Sequence, residues 1–548
     1  MRMEITSKWS IALRAAALGS LLVASGHAAV PGIKGSASSP TFNLDASAMR
    51  LTQPNGKSLY GWGYGCTSTS PPPGFAPSAM DQSRGANCPG AQLPGPTLIV
   101  TEGDAVTIVL TNNLPAAAGN TSMLFPGFQV SSSGGAVGLL TKEAPSLASC
   151  NSVAGCNTVT YTFIANSAGT HSYYSGTQGD LQIEMGLFGA LVVLPKSIPS
   201  SCDNGLAASN LLAKGAAGEA DFRLAHAAYN NKAACYDREF LFQFSEMDDR
   251  IHIQTEAQVL ADQAKTKGGC TSQQGCLVVA TEPYTPGYFM VNGRSMPDDM
   301  DPNYAGQYPF QPYNGNPHMH PGELTLLRII GQGRWQHPFH EHANHVRVLA
   351  RDGNLLLSDT TANALPAGPL MFTTTTTPGM TLDGIFYWTG KGLNWDAFGH
   401  YAGLTIPGTT PSQTVQCIPD ANGYYTSNPS AANYYEWCGD HNKPLEKHPF
   451  GEVASGGPVT LPDPNIVANG NWYGGSPYLG GEATGRAVGA TPIPPAGTIA
   501  NSPSGEAGYA YMWHSHNERE ITTDNVFPGG MMMMMLVDPR SFVIDETN

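Results

Sequence analysis

The sequence predicts an all-β protein made of tandem β-sandwiches, the second interrupted by a long insertion. Composition is the first reason. The 548 residues include 63 Gly and 43 Pro, only 13% are charged, and Thr, Val and Tyr recur in short runs. That mix suits half-buried strands joined by tight turns. Patterning is the second reason, because the apolar runs are short and bounded by Gly, Pro, Asn and Asp instead of repeating at helical period. The third is length, which exceeds what one core can organise and implies roughly two to four domains.

The chain opens with Arg2, Lys8 and Arg14, an apolar run over 15–24, and the small residues Gly26 and Ala28. This reads as a secretory signal peptide over 1–28, and so as export to a periplasm or the cell exterior. No other stretch has the length to cross a bilayer. Residues 29–40 read as a flexible lead. The first sandwich is placed over 36–200, from strand signals at 92–100 and 105–113 around the turn Glu102-Gly103-Asp104, then at 158–164 and 187–194. An Ala-, Asn- and Gly-rich linker is expected over 201–235. The second unit, 236–548, has strand signals at 237–244, 288–294, 322–330 and 381–387. Between 401 and 505 the pattern dissolves, and strand character returns at 509–516. The stretch is read as an insertion, with a small third domain as the alternative.

Ten cysteines fall into sequence-near couples: Cys66/Cys88, Cys150/Cys156, Cys202/Cys235, Cys270/Cys276 and Cys417/Cys438. In an exported chain an even count suggests disulfides, and pairing within couples is the simplest of many arrangements. The net charge of -15 argues against nucleic acid or an anionic membrane as partner and favours cations.

Histidine carries the chemical signal. Four of 15 lie within His337-Pro338-Phe339-His340-Glu341-His342-Ala343-Asn344-His345, and His514-Ser515-His516 repeats the spacing of His340 and His342. Residues two apart on a strand share a face. Two such pairs on neighbouring strands would gather four neutral nitrogen donors, a set that suits copper or zinc. Glu341, lying between two of them, faces away. His345, His318 and His320 read as structural. In Met531-Met532-Met533-Met534-Met535, alternate thioethers share a face and are soft ligands favouring Cu(I), although a core strand is the favoured reading.

These segments resemble the multicopper oxidases, tandem Greek-key cupredoxin sandwiches that include laccases and bacterial copper-resistance oxidases. The stretch from Leu93-Pro94-Gly95-Pro96 to Asn112-Asn113-Leu114-Pro115 is similar to the family's first-domain opening. The His337–His345 cluster, and His514-Ser515-His516 with Gly530-Met531, are similar to its second-domain copper motifs. The resemblance implies a type 2 ligand position for His340, type 3 positions for His342, His514 and His516, and a type 1 position for His337. It also exposes losses. Leu124-Phe125-Pro126-Gly127 stands where the family has HWHG, and Tyr174 and Gly176 replace the pair in HSH. Ser515 replaces the type 1 Cys, and Glu520 replaces the later type 1 His. Without a thiolate no blue copper forms, and four imidazoles cannot hold three coppers in the usual way. Conventional laccase turnover is therefore not expected.

The resulting expectation is an exported copper-binding oxidoreductase with a reduced site of one or two copper ions, zinc being the alternative metal. Its candidate ligands are His337, His340, His342, His514 and His516, with Glu341 or Glu520 as further oxygen donors. Its partners would be a small-molecule electron donor or metal ion, and dioxygen. Two other readings are a non-catalytic copper-binding or storage protein, and a subunit of a hetero-oligomer. In the last case a different partner, not a second copy, would supply the missing histidines.

Overall fold

The computed structural model describes residues 29–203, 219–388 and 507–546, less 37, 71, 73, 81–84, 151–152, 361–363, 539 and 541, together with isolated pieces between 389 and 506. The expected signal peptide, nearly all of the expected insertion and the Cys417/Cys438 couple lie outside the described residues. Among the described residues no helix is long and apolar enough to cross a membrane.

The all-β expectation matches the architecture. The first half has strands β1 (Gly32–Lys34), β2 (Thr41–Thr52), β3 (Ser58–Cys66), β4 (Gly74–Ala76), β5 (Gly95–Thr101), β6 (Ala105–Asn112), β7 (Ser131–Gly134), β8 (Thr158–Ile164), β9 (Gly169–Tyr174) and β10 (Phe188–Leu194). They form two sheets, β4-β1-β5-β10-β9 and β3-β2-β6-β8-β7. Side chains alternate along β6, so Val106, Ile108 and Leu110 are buried and join Phe42, Trp62, Leu98, Tyr161 and Leu191 in one core.

The second half has β11 (Arg238–Met247), β12 (Tyr288–Val291), β13 (His318–Met319), β14 (Leu324–Gly331), β15 (His337–Glu341), β16 (Val346–Arg351), β17 (Asn354–Leu355), β18 (Leu370–Met371), β19 (Thr373–Thr376) and β20 (Thr381–Tyr387). After them come β21 (Thr405–Ile406), β22 (Gln413–Thr414), β23 (Gly475–Leu479), β24 (Ala507–Ser515) and β25 (Met532–Val537). One sheet runs β12-β11-β14-β20-β16-β17 and the other β13-β25-β24-β15-β19. Phe240, Phe242, Phe244, Ile329, Phe339, Trp513, Met533 and Met535 fill the space between them. The two halves pack directly, with Ile99, Ala190 and Val192 against Leu241 and Ile330, and Gln332 Nε2 donates to Gly189 O at 3.1 Å.

Two local expectations need correcting. The supposed flexible lead contains β1, and Ala29, Val30 and Ile33 are buried. Its place between β4 and β5, paired on both sides, orders it. Directly after β11 comes a 15-residue helix, Asp249–Gln263, which the strand reading passed over. Asp248 caps it, its side chain accepting from Arg250 N, and the body is rich in Gln, Glu, Ala and Leu, all good helix formers. Four of the expected disulfides are closed: Cys66–Cys88, Cys150–Cys156, Cys202–Cys235 and Cys270–Cys276.

Candidate metal centre

Strand β24 lies between β15 and β25, antiparallel to both, and its register sets His514 opposite His340. On the other side of β15, Thr373 of β19 stands opposite His340. Because side chains alternate, His337, Phe339, Glu341, Trp513 and Ser515 turn into the core. The outer face receives His340 and His514, with His342 and His516 one step beyond the ends of their strands.

On that face three imidazoles converge. One nitrogen from each of His340, His342 and His514 lies within 4.8 Å of the others. His342 Nε2 and His514 Nε2 are 3.2 Å apart. The more exposed His516 stands beside them, its ring 4.9 Å from that of His340. Relative exposures of 2%, 8% and 8% for His340, His342 and His514 mean that little water competes for these nitrogens. His514 Nδ1 donates to Ser515 O at 2.7 Å, which fixes the tautomer and leaves the Nε2 lone pair facing the group. Thr373 Oγ1 holds His340 Nδ1 at 2.8 Å. Burial, and then the neighbouring rings of His342, His514 and His516, push His340 down to about 4. Burial likewise lowers His514. His340 and His514 are therefore neutral at neutral pH, the state a metal ligand needs. An ion bound tetrahedrally by nitrogens at about 2.0–2.1 Å separates two of them by about 3.3 Å, close to the spacing His342 and His514 already have. The residues fit a copper or zinc ion.

His337 is set apart from the other four. Its Nε2 lies 2.9 Å from Glu246 Oε2 and its Nδ1 2.9 Å from Glu520 Oε2, all three side chains being buried. Burial alone would lower its affinity for a proton, but the hydrogen bonds to Glu246 and Glu520 outweigh this and hold it at about 9. It is an imidazolium with both nitrogens committed as donors. Ser515 Oγ donates to the same Glu520 oxygen at 2.5 Å, and Asn517 Nδ2 to the other at 2.9 Å. Glu246 Oε1 accepts from Arg334 N and Trp335 N at 2.7 and 2.8 Å. The site expected of His337 is thus filled by a proton held between two carboxylates, and Glu520 is not turned to the imidazole group. A blue copper ion does not fit these residues.

Glu341 is buried in the core, pushed up to about 8 by burial and bound to Thr374 Oγ1 at 2.7 Å. His318 Nδ1 lies 2.6 Å from Asp538 Oδ2, and His320 Nε2 2.9 Å from Glu219 Oε2, in keeping with a structural reading. Glu219, His320 and Glu323 have metal-like spacing, but the Arg238 guanidinium already pairs with Glu219, Glu323 and Glu546. In the first half, Leu124 and Tyr174 exchange backbone hydrogen bonds, Phe125 joins the core, and Leu124 fills the space beside Gly176. Among the described residues, that half supplies no histidine to the group.

Sequence reasoning missed Thr373 and Glu246. Thr373 begins a threonine run with nothing local to mark a ring-orienting role. Glu246 lies 91 residues before His337.

Among solved structures, the chain is similar to the multicopper oxidase mgLAC at 14% identity, with 92% of this chain and 88% of that one covered and a TM-score of 0.40. It is also similar to the blue copper oxidase from Nitrosomonas europaea (14% identity, 90% and 85% covered, TM-score 0.39) and to the copper nitrite reductase from Nitrosomonas europaea (15%, 63% and 84%, 0.35). No curated protein matches the chain. Residues 80–198 match the multicopper oxidase family model. These residues form a multicopper oxidase domain.

Proposed function

We propose that the protein is an exported copper-binding oxidoreductase of the multicopper oxidase type, with a reduced centre on the outer face of the second sandwich. The observation that carries this is the convergence of three imidazoles, His340, His342 and His514, within 4.8 Å. His516 stands beside them as a fourth donor. One or two copper ions would be held there, with zinc as competitor, and when bound copper would supply one-electron and Lewis-acid chemistry. The chain's own part is to keep His340 and His514 neutral, to orient His340 through Thr373 and His514 through Ser515 O, and to limit water around them. A small organic electron donor or metal ion would be the substrate and dioxygen the acceptor.

Export is inferred from the basic, apolar and small-residue succession of 1–28, and the halves are read as domains over 36–200 and 236–548 joined through 201–235. A second reading, copper holding without turnover, is favoured by the commitment of His337 to Glu246 and Glu520, which leaves no blue copper position for electron entry. A hetero-oligomer that completes the centre is the remaining alternative.

The test is the metal content of the mature protein isolated without added metal, by mass spectrometry with parallel electron paramagnetic resonance. Copper that disappears when His340 and His514 are changed to Ala supports the centre. A metal-free protein that also takes up no copper on titration contradicts it. Dioxygen consumption with an electron donor then separates the enzyme from the holding protein.

A further inference from the structure

The register divides the Met531–Met535 run between two environments. Met531, Met533 and Met535 point into the core, as a packed strand requires. Met532 and Met534 must point the other way, onto the face that carries the imidazoles. Met532 stands opposite His514, and Met534 opposite Met512 of β24. One row across the sheet thus reads Thr373, His340, His514, Met532. The Thr373–His340 side-chain hydrogen bond shows that residues opposite one another here share the outer face. Met512 and Met534 occupy the next row, at the level of His342. Both are half-buried and Met532 is buried, so these side chains are largely shielded from water yet close to the surface.

We propose that Met512 and Met534, with Met532 joining them to His514, form a soft-cation site that takes Cu(I) beside the imidazole centre. Directly opposed side chains have Cβ atoms about 4.5–5.5 Å apart, and methionine is unbranched and flexible, so two thioethers can turn onto one ion. Thioether sulfur selects Cu(I) over the harder ions that carboxylate or water would favour. Apolar packing against Ala510 and Leu536, and against the margin of the inner core, accounts for a large side chain at 534. It does not call for sulfur, since Leu would pack as well. The inference rests on the proposed imidazole centre only for the use of the bound Cu(I), not for the binding itself.

The experiment is an anaerobic titration of the metal-free full-length mature protein with Cu(I) against a chromophoric chelator, with copper X-ray absorption on the loaded samples. Wild type, M512L/M534L and H340A/H514A are compared. Met-to-Leu changes conserve volume and are well tolerated in packed sites. The site predicts sulfur scattering in wild type and in H340A/H514A. It also predicts loss of that scattering, and of one equivalent of Cu(I), in M512L/M534L. A nitrogen-only shell in wild type, or undiminished Cu(I) uptake by M512L/M534L, overturns it. Should the double variant not fold, M534L alone and Ag(I) absorption on wild type give the same decision. Failure of the imidazole centre shows separately, as Cu(II) uptake unchanged in H340A/H514A.

Discussion

His337 and His340 are three residues apart on one strand, yet the fold gives them opposite protonation states. On the inner face, His337 lies between Glu246 and Glu520 and is held at about 9. On the outer face, burial and three neighbouring rings drive His340 to about 4. Both are buried, so burial does not decide the outcome. What separates them is the charge opposite each nitrogen: at His337 carboxylates retain a proton against burial, while at His340 burial prevails, the other imidazoles add to it, and lone pairs are left for a metal. One strand therefore carries a proton site and a candidate metal site, back to back.

The contrast can be broken most severely from the inner face. Changing His337 to Ala would leave Glu246 and Glu520 facing each other without their cation. Removing one partner of a buried pair costs about 3–5 kcal/mol. Chemical denaturation of the metal-free protein is expected to show a loss of that size, and a neutral result would remove the imidazolium from the account.

Acidity sharpens the same point. His337 binds its proton more tightly folded than unfolded, so its contribution is complete below about pH 6.5 and fades as the pH rises through about 9. The swing is about 3 kcal/mol. Wild-type stability should fall between about pH 6 and about pH 9.5, while H337Q shows a flatter profile over the same interval. Parallel profiles would show that His337 is neutral throughout.

The outer face should respond in metal affinity. Thr373→Val removes the oxygen that orients His340 Nδ1, and loss of such a supporting hydrogen bond typically weakens metal binding about 10–100-fold. Competition with a copper chelator would read this, and unchanged affinity would mean that the ring is oriented by packing alone. Smallest of all, His340→Ala in the metal-free protein should change stability by less than about 1 kcal/mol. It removes a partly hydrogen-bonded ring but also relieves crowding among three imidazoles. A large loss would mean that the group is structural.

Much of this division was legible in the sequence. Alternation placed His340 with His342 and His514 with His516, set Glu341 on the other face, and marked strands such as β6, β8 and β20. The same alternation assigns His337 to the core, but its charge state was hidden. Its partners lie 91 residues before it and 183 after it, and only the packing of β11 and the 515–520 turn against β15 brings them in. The methionine run was ambiguous for a related reason. Periodicity separates odd from even positions, yet only the pairing of β24 with β25 shows that the even ones stand beside His514. The lead around Gly32–Lys34 was missed because a three-residue strand held between two others draws its order from its neighbours β4 and β5, not from its own pattern.

The most direct test is a side-by-side copper titration of wild type, H340A/H514A and H337Q, with electron paramagnetic resonance to count nitrogen ligands. The account predicts that H337Q takes up copper with the wild-type nitrogen signature while H340A/H514A does not. Loss of copper from H337Q, with retention in H340A/H514A, would place the metal on the inner face and contradict the assignment of the two sides.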